Sequence, residues 1–194
     1  MTPWLLVDFG DVISRPYDDD SYRTLAALLD LDATHLRSTY WQHRRAYDAG
    51  EPSAAYWSKV AGRGVPDDLA ERLDAADVAT WSRTDPQMLA LLAEQRHAGA
   101  RLALLSNAPH VQAAAFDRAD WAPMFEHLLT SSRLGVAKPD PAAFTLALAT
   151  LRATPGDVTF VDDRPENVDA AAGLGIRTIL YAGVENLRGA LSQA

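Results

Sequence analysis

Trp4-Leu5-Leu6-Val7-Asp8-Phe9, closed by Gly10, is the stretch that decides the fold. A short apolar run without helical spacing, stopped by a glycine, reads as a strand buried on both faces, and strands of that kind belong to parallel sheets. Working outward, residues 101–106 (RLALLS), 126–130 (EHLLT), 157–161 (DVTFV) and 176–181 (IRTILY) repeat the pattern. Between them lie segments of helical composition at 86–97, 109–117, 141–151 and 164–172. Three begin at or near a proline, which suits a first turn, and Gly99 and Gly173 follow the first and last, as C-terminal caps do. Strands alternating with helices imply right-handed βαβ units and an α/β fold: a three-layer, Rossmann-like parallel sheet covered on both faces.

One stretch breaks the alternation. Residues 15–84 hold no strand-like run and read as helix after helix, with Leu36, Tyr40, His43 and Tyr47 on one face. Five of the six tyrosines (17, 22, 40, 47, 56) and three of the five tryptophans (41, 57, 81) fall in this block, and all five phenylalanines fall outside it. The shift marks a helical insertion. The expected organisation is an α/β core made of residues 1–14 and 85–194, with a helical cap at 15–84.

Composition excludes several functions. The 194-residue chain carries 18 Lys and Arg against 26 Asp and Glu, a formal charge of -8, and no basic stripe, so nucleic acid is not expected as a partner. Cysteine is absent, which removes thiol nucleophiles and cysteine-ligated metals. The apolar runs are too short to span a bilayer and a charge arrives at Asp8, so no membrane partner and a cytoplasmic location are expected. Nothing in the sequence sets an oligomeric state.

In open parallel sheets ligands bind beyond the carboxyl ends of the strands. The polar residues at those ends are Asp8, Gly10 and Asp11 after the first strand, Ser106 and Asn107 after the second, and Asp162 and Asp163 after the fourth, with Lys138 in the loop GVAKPDP. A lone aspartate at a strand end is usually a turn former or helix cap. Four ends suited to one chemistry carry more weight.

With spacings of 98, 32 and 25 residues between Asp8, Ser106, Lys138 and Asp163, the segments LVDFGDVIS, LLSNA, GVAKPDP and FVDDRPENV resemble the four motifs of the haloacid dehalogenase superfamily. The likeness is to its phosphatase-like members with a helical cap after the first strand. It implies a magnesium-dependent phosphatase acting on a small phosphorylated metabolite, such as a sugar phosphate, through an aspartyl-phosphate. It further implies that Asp8 is the nucleophile and that Asp8, the Gly10 carbonyl and Asp163 hold Mg²⁺, with Asp162 next to the metal or just behind it. Ser106 and the Asn107 backbone N–H would bind phosphate oxygens, and Lys138 would neutralise Asp8 and the phosphoryl group. The chemistry suits these residue types, because a carboxylate attacking an anionic ester needs a hard cation between them. Asn167 has three readings: holding a metal-bound water, steadying the loop, or serving as an ordinary helix polar residue.

One position departs from the pattern. Phosphatases of this kind carry a second aspartate two residues after the nucleophile as general acid, and here that residue is Gly10. Asp11, at an odd offset from Asp8, would point to the other side if the strand continued. Two alternatives therefore stand beside the phosphatase: a 2-haloacid dehalogenase, whose fourth motif normally lacks the paired aspartates, and a binding protein on an inactive core. On the cap, Trp41 and Arg44 share a stripe with Arg37 and Asp48 that has two readings, a face turned to the substrate or, as favoured here, a solvated helix face with an ion pair; His43 reads as cap packing.

Overall fold

The computed structural model describes residues 3–192; residues 1–2 and 193–194, the outer ends of the expected core segments, lie outside the described residues. Five parallel strands form the sheet, in the order β3-β2-β1-β4-β5. They are β1 (Trp4–Val7), β2 (Arg101–Ser106), β3 (His127–Thr130), β4 (Val158–Asp162) and β5 (Arg177–Leu180). The helices α5 (Pro86–His97), α6 (His110–Phe116), α7 (Ser131–Leu134), α8 (Pro141–Leu151), α9 (Pro165–Ala172) and α10 (Val184–Leu191) complete the three layers.

Side-chain alternation along each strand divides the core. Leu5, Val7, Leu102, Leu104 and Val161 point to the face that packs on Met88, Leu91 and Leu92 of α5 and Phe116 of α6. Trp4, Leu6, Ala103, Leu105 and Phe160 point to the other, against Phe144 and Ala147 of α8 and Ala171 of α9. The helix starts follow from their first residues. Asp85 and Asp140 accept the backbone N–H of Gln87 and Ala142, and Pro86, Pro141 and Pro165 occupy first-turn positions where no donor is needed.

Between β1 and α5 lie α1 (Asp19–Leu29), α2 (Ala33–Asp48), α3 (Ser53–Ala61) and α4 (Asp67–Trp81). They enclose a separate aromatic core that includes Tyr40, Tyr47, Tyr56 and Trp57, with the Tyr47 and Tyr56 rings stacked at 4.2 Å. The chain enters and leaves this unit through one pair of extended segments. Ser14 bridges Thr84 in antiparallel fashion, Arg15 donates to the Arg83 carbonyl at 2.7 Å, and Asp85 donates to the Ile13 carbonyl at 2.8 Å.

The α2 face differs from the expected one. Its buried stripe is Leu36, Tyr40, Arg44, Tyr47 and Asp48, while His43 is half-exposed. The Arg44–Asp48 pair is thus not on a solvated face but inside, because acids on α4 receive it. Arg44 Nη1 lies 3.0 Å from Asp77 Oδ2 and also reaches the Tyr40 hydroxyl, and Nε donates to Asp48 at 2.7 Å. Asp77 further accepts from Tyr40 and Tyr17, and Asp74 accepts from Tyr47 and Trp57 Nε1. Among the described residues, no helix is long and apolar enough to cross a membrane.

Candidate active site

Strand order reverses between β1 and β4, so the crevice beyond their carboxyl ends is where a ligand site is expected. A cleft of about 580 Å³ opens there, walled by the sheet edge on one side and by α2 and α4 on the other. The structure brings Asp8, Gly10, Ser106, Asn107, Lys138 and Asp163 to its lining, and Asp162 stands directly behind them, fully buried.

Asp8 follows β1, and its N–H donates to the Val161 carbonyl at 2.9 Å, which extends the pairing with β4 by one residue and fixes the carboxylate. Asp162, the last residue of β4, accepts from the Arg164 N–H at 2.9 Å and from Asn167 Nδ2 at 3.0 Å on both oxygens. Asn167 thereby steadies the loop, one of its three readings. Lys138 Nζ lies 2.8 Å from Asp8 and 2.7 Å from Asp162, within a side chain that is 1% exposed. Its backbone is clamped on both sides by one amide: Asn107 Nδ2 donates to the Lys138 carbonyl at 2.8 Å, and the Lys138 N–H donates to Asn107 Oδ1 at 2.8 Å. This clamp leaves no mark in the sequence, whose resemblance implies a role for the Asn107 backbone alone.

Burial dominates the electrostatics. It pushes the Asp8 carboxyl up to about 7, with Lys138 pulling the other way and the Asp162 and Asp163 charges adding to the rise. Burial, then the neighbouring Asp162 and Asp11, raise Asp163 to about 6. For Lys138, burial alone would lower the ammonium, but Asp8 and Asp162 outweigh it and the net direction is upward. One lysine therefore serves a cluster of carboxylates that remains short of positive charge. Oxygens of Asp8, Asp162 and Asp163 all lie within 4.8 Å of one another, a hard-ligand set of the kind Mg²⁺ takes. Those of Asp162 are already occupied by Lys138, Asn167 and Arg164, which leaves Asp8 and Asp163 as the pair with capacity for a cation.

At Gly10 the backbone has room for a side chain: a Cβ there would meet only the ring of Trp81, the last residue of α4, at an ordinary contact distance of 3.5 Å from Cζ3. Asp11 does not cross to the far side. The strand has ended at Val7, Asp11 turns through a left-handed conformation (φ 54) with its N–H on Ser14 Oγ, and its side chain lines the cleft. Burial raises its carboxyl and Arg164 opposes. Trp41 and Arg44 of α2 line the cleft, with Asp48 of the same stripe beside them, in keeping with its substrate-facing reading, and Trp81 and, on α6, Gln112 add to the wall without any sequence signal that points to them.

Among known proteins, residues 21–175 match the family of haloacid dehalogenase-like hydrolases. Phosphoserine phosphatase from Thermus thermophilus is 36% identical over 96 residues, which cover 48% of this chain and 39% of that protein. Bifunctional epoxide hydrolase 2 from Sus scrofa is 45% identical over 58 residues, 30% of this chain and 10% of the relative. The chain therefore spans less than half the length of these curated relatives. A HAD family enzyme from Bacteroides thetaiotaomicron, solved as an aspartate-to-alanine mutant in complex with magnesium and inorganic phosphate, superposes with a TM-score of 0.73. That match is 20% identical and covers 92% of this chain and 93% of the other. A 2-haloacid dehalogenase from Pseudomonas syringae gives 0.72 at 18% identity, over 100% and 99%. At such identities both share the fold alone. The matched span takes in the α2 and α4 wall of the cleft and three of the four strand-end motifs, and the chain belongs to the family of haloacid dehalogenase-like hydrolases.

Proposed function

We propose that the protein is a magnesium-dependent phosphomonoesterase for a small phosphorylated metabolite, with residues 15–84 as its cap. The observation that carries this reading is the pairing of Lys138 with both Asp8 and Asp162 while Asp163 stands free beside them. A halide displacement at carbon has no use for a second free carboxylate next to the nucleophile, since it only raises the nucleophile's pKa. An anionic phosphate ester does, because a cation must then join two negative groups. Asp8, the Gly10 carbonyl and Asp163 would hold Mg²⁺, which supplies positive charge to the phosphoryl oxygens and the attacking carboxylate.

The chain's own residues do the rest. An Asp8 oxygen forms a bond to phosphorus as the bond from phosphorus to the leaving oxygen breaks, and water then cleaves the acyl phosphate to restore Asp8. Ser106 Oγ and the Asn107 N–H donate to phosphoryl oxygens, and Lys138, locked by Asp162 and by the Asn107 clamp, balances charge on Asp8. The helical unit covers the cleft and limits water. Support also comes from the phosphoserine phosphatase relative and from the magnesium and phosphate held by a protein of the same fold.

The test is turnover of p-nitrophenyl phosphate with Mg²⁺ and with excess EDTA, for the wild type and Asp8→Asn. The expected result is activity that EDTA removes and that the variant lacks while keeping its circular dichroism spectrum. Undiminished turnover in EDTA, or wild-type rates from Asp8→Asn, would overturn the reading. Halide release from 2-chloropropionate is expected to be absent.

A further inference from the structure

We propose that Ser131 is a positioning residue whose hydroxyl registers the helical unit on the loop after β2, so that phosphate held by that loop steadies the α2 wall of the cleft. This rests on the phosphomonoesterase reading above. Ser131 opens α7 and is 1% exposed. Its Oγ accepts the Ala108 N–H at 2.9 Å and donates to the Asp48 carbonyl. The Ala108 carbonyl, the other acceptor in reach, is more distant, at 3.5 Å. A hydroxyl can accept and donate at once, so one buried atom joins the loop that carries Ser106 and Asn107 to the last residue of α2. Among the described residues, no other hydrogen bond joins residues 16–82 to the core.

The end of α2 is built to need this partner. A helix leaves its last four carbonyls without intrahelical donors. Those of Arg45, Ala46 and Tyr47 take the N–H groups of Ala49, Glu51 and Gly50, at 3.2, 3.0 and 2.9 Å. The fourth, on Asp48, takes Ser131. Gly50 then passes so near the core that a Cβ would stand 3.2 Å from His110 Nε2, and its φ of 105° is one that only glycine adopts at no cost. The seat is therefore close as well as bonded. Trp41, Arg44 and Asp48 of α2 line the cleft, so the place where Asp48 is held decides where that wall stands. On the other side of Ser131, a phosphoryl group bound by Ser106 Oγ and the Asn107 N–H fixes the two residues before Ala108. An ordered Ala108 N–H holds the Ser131 oxygen, and a hydroxyl that already accepts a hydrogen bond is the stronger donor. Order in the loop is thus passed to the end of α2.

Amide hydrogen exchange followed by NMR tests the proposal, with Mg²⁺ present throughout and with or without saturating inorganic phosphate. The proteins are the wild type, Ser131→Ala and Ser132→Ala, the last a control whose hydroxyl lies by that of Thr130, at 3.5 Å, and outside the relay. In the wild type, phosphate should slow exchange at Asn107 and Ala108, and at residues 49–51 by at least about fivefold, the lower end of ordinary coupling between sites. In Ser131→Ala the loop should still respond, while residues 49–51 exchange at one rate with and without phosphate. Ser132→Ala should match the wild type. A merely structural Ser131 would leave the phosphate response at 49–51 intact and raise exchange there in both conditions, and that result overturns the proposal. So does a wild type in which the loop responds and residues 49–51 do not, a comparison that needs no variant to fold. Phosphate that alters neither segment of the wild type overturns the phosphomonoesterase reading itself, and the proposal with it.

Discussion

Arg44→Met offers a direct measure of what holds the helical unit together. Arg44 stands between Asp48, 2.7 Å from Nε, and Asp77, 3.0 Å from Nη1, with all three side chains nearly withdrawn from water. Methionine replaces most of its volume and none of its charge, which strands two buried carboxylates. Removing one partner of a buried pair costs about 3–5 kcal/mol. At about 2–4 °C per kcal/mol for a chain of this length, the melting temperature should fall by roughly 6–20 °C. The loss should also depend on pH. Burial already pushes the Asp48 carboxyl up to about 6, against the pull of Arg44. Its unfolded value is about 3.9. Between those values the folded protein holds a proton that the unfolded chain does not, so ionisation of Asp48 costs stability as pH rises through that window. Without Arg44 the folded value climbs further and the window extends upward, so the deficit against wild type should widen from pH 5 to pH 8. Thermal melts followed by circular dichroism at both pH values measure it. A deficit under about 1 kcal/mol, the range of exposed pairs, or one equal at both pH values, would show that Arg44 does not neutralise these acids.

Two further substitutions address the site. Lys138→Met should lower kcat for p-nitrophenyl phosphate by roughly 10²- to 10³-fold, the scale of losing one positioned charge donor; a rate within about threefold of wild type would remove Lys138 from the mechanism. With no acid at residue 10, the wild type should hydrolyse aryl phosphates far faster than n-propyl phosphate, because only the alkoxide needs a proton as it leaves. Gly10→Asp, whose Cβ meets only the ring of Trp81 at ordinary contact distance, should narrow that gap by up to about 10²-fold. Asp11→Asn should leave the gap as it is; a wider gap in that variant would make Asp11 the proton donor.

The sheet was legible because its information is local. Each strand is a short apolar run, and Pro86 and Pro141 open α5 and α8 at the residues expected. The run at Trp4–Phe9 extends two residues past β1, which ends at Val7, and DVTFV stops a residue short of β4, which runs to Asp162, because an aspartate at a strand end carries no apolar signal either way. α7 and α10 went unread, the first because four residues carry no period and the second because it lies beyond the last strand signal. The strand-end polar residues were found because each stands beside a recognisable run. The helical wall of the cleft was not, because it depends on contacts distant in sequence. Arg44 looks solvent-facing until α4 brings Asp77 to it from 33 residues away. Gln112 gives even less notice: within HVQAAAF only its spacing to Phe116 sets it on the inward face.

Because residues 13–15 and 83–85 lie side by side, the chain of the helical unit enters and leaves the core through a single clasp, like a pendant whose α2 and α4 also rest on α7 and α6. The ends of anything threaded between them are already together, and the entropy of closing such a loop grows by only about 0.6 kcal/mol for each doubling of its length. Pendants of quite different size can therefore be exchanged over generations while strand register and the Asp8, Lys138 and Asp162 constellation stay put. Natural variation in what the cleft accepts should accordingly fall between those two short segments.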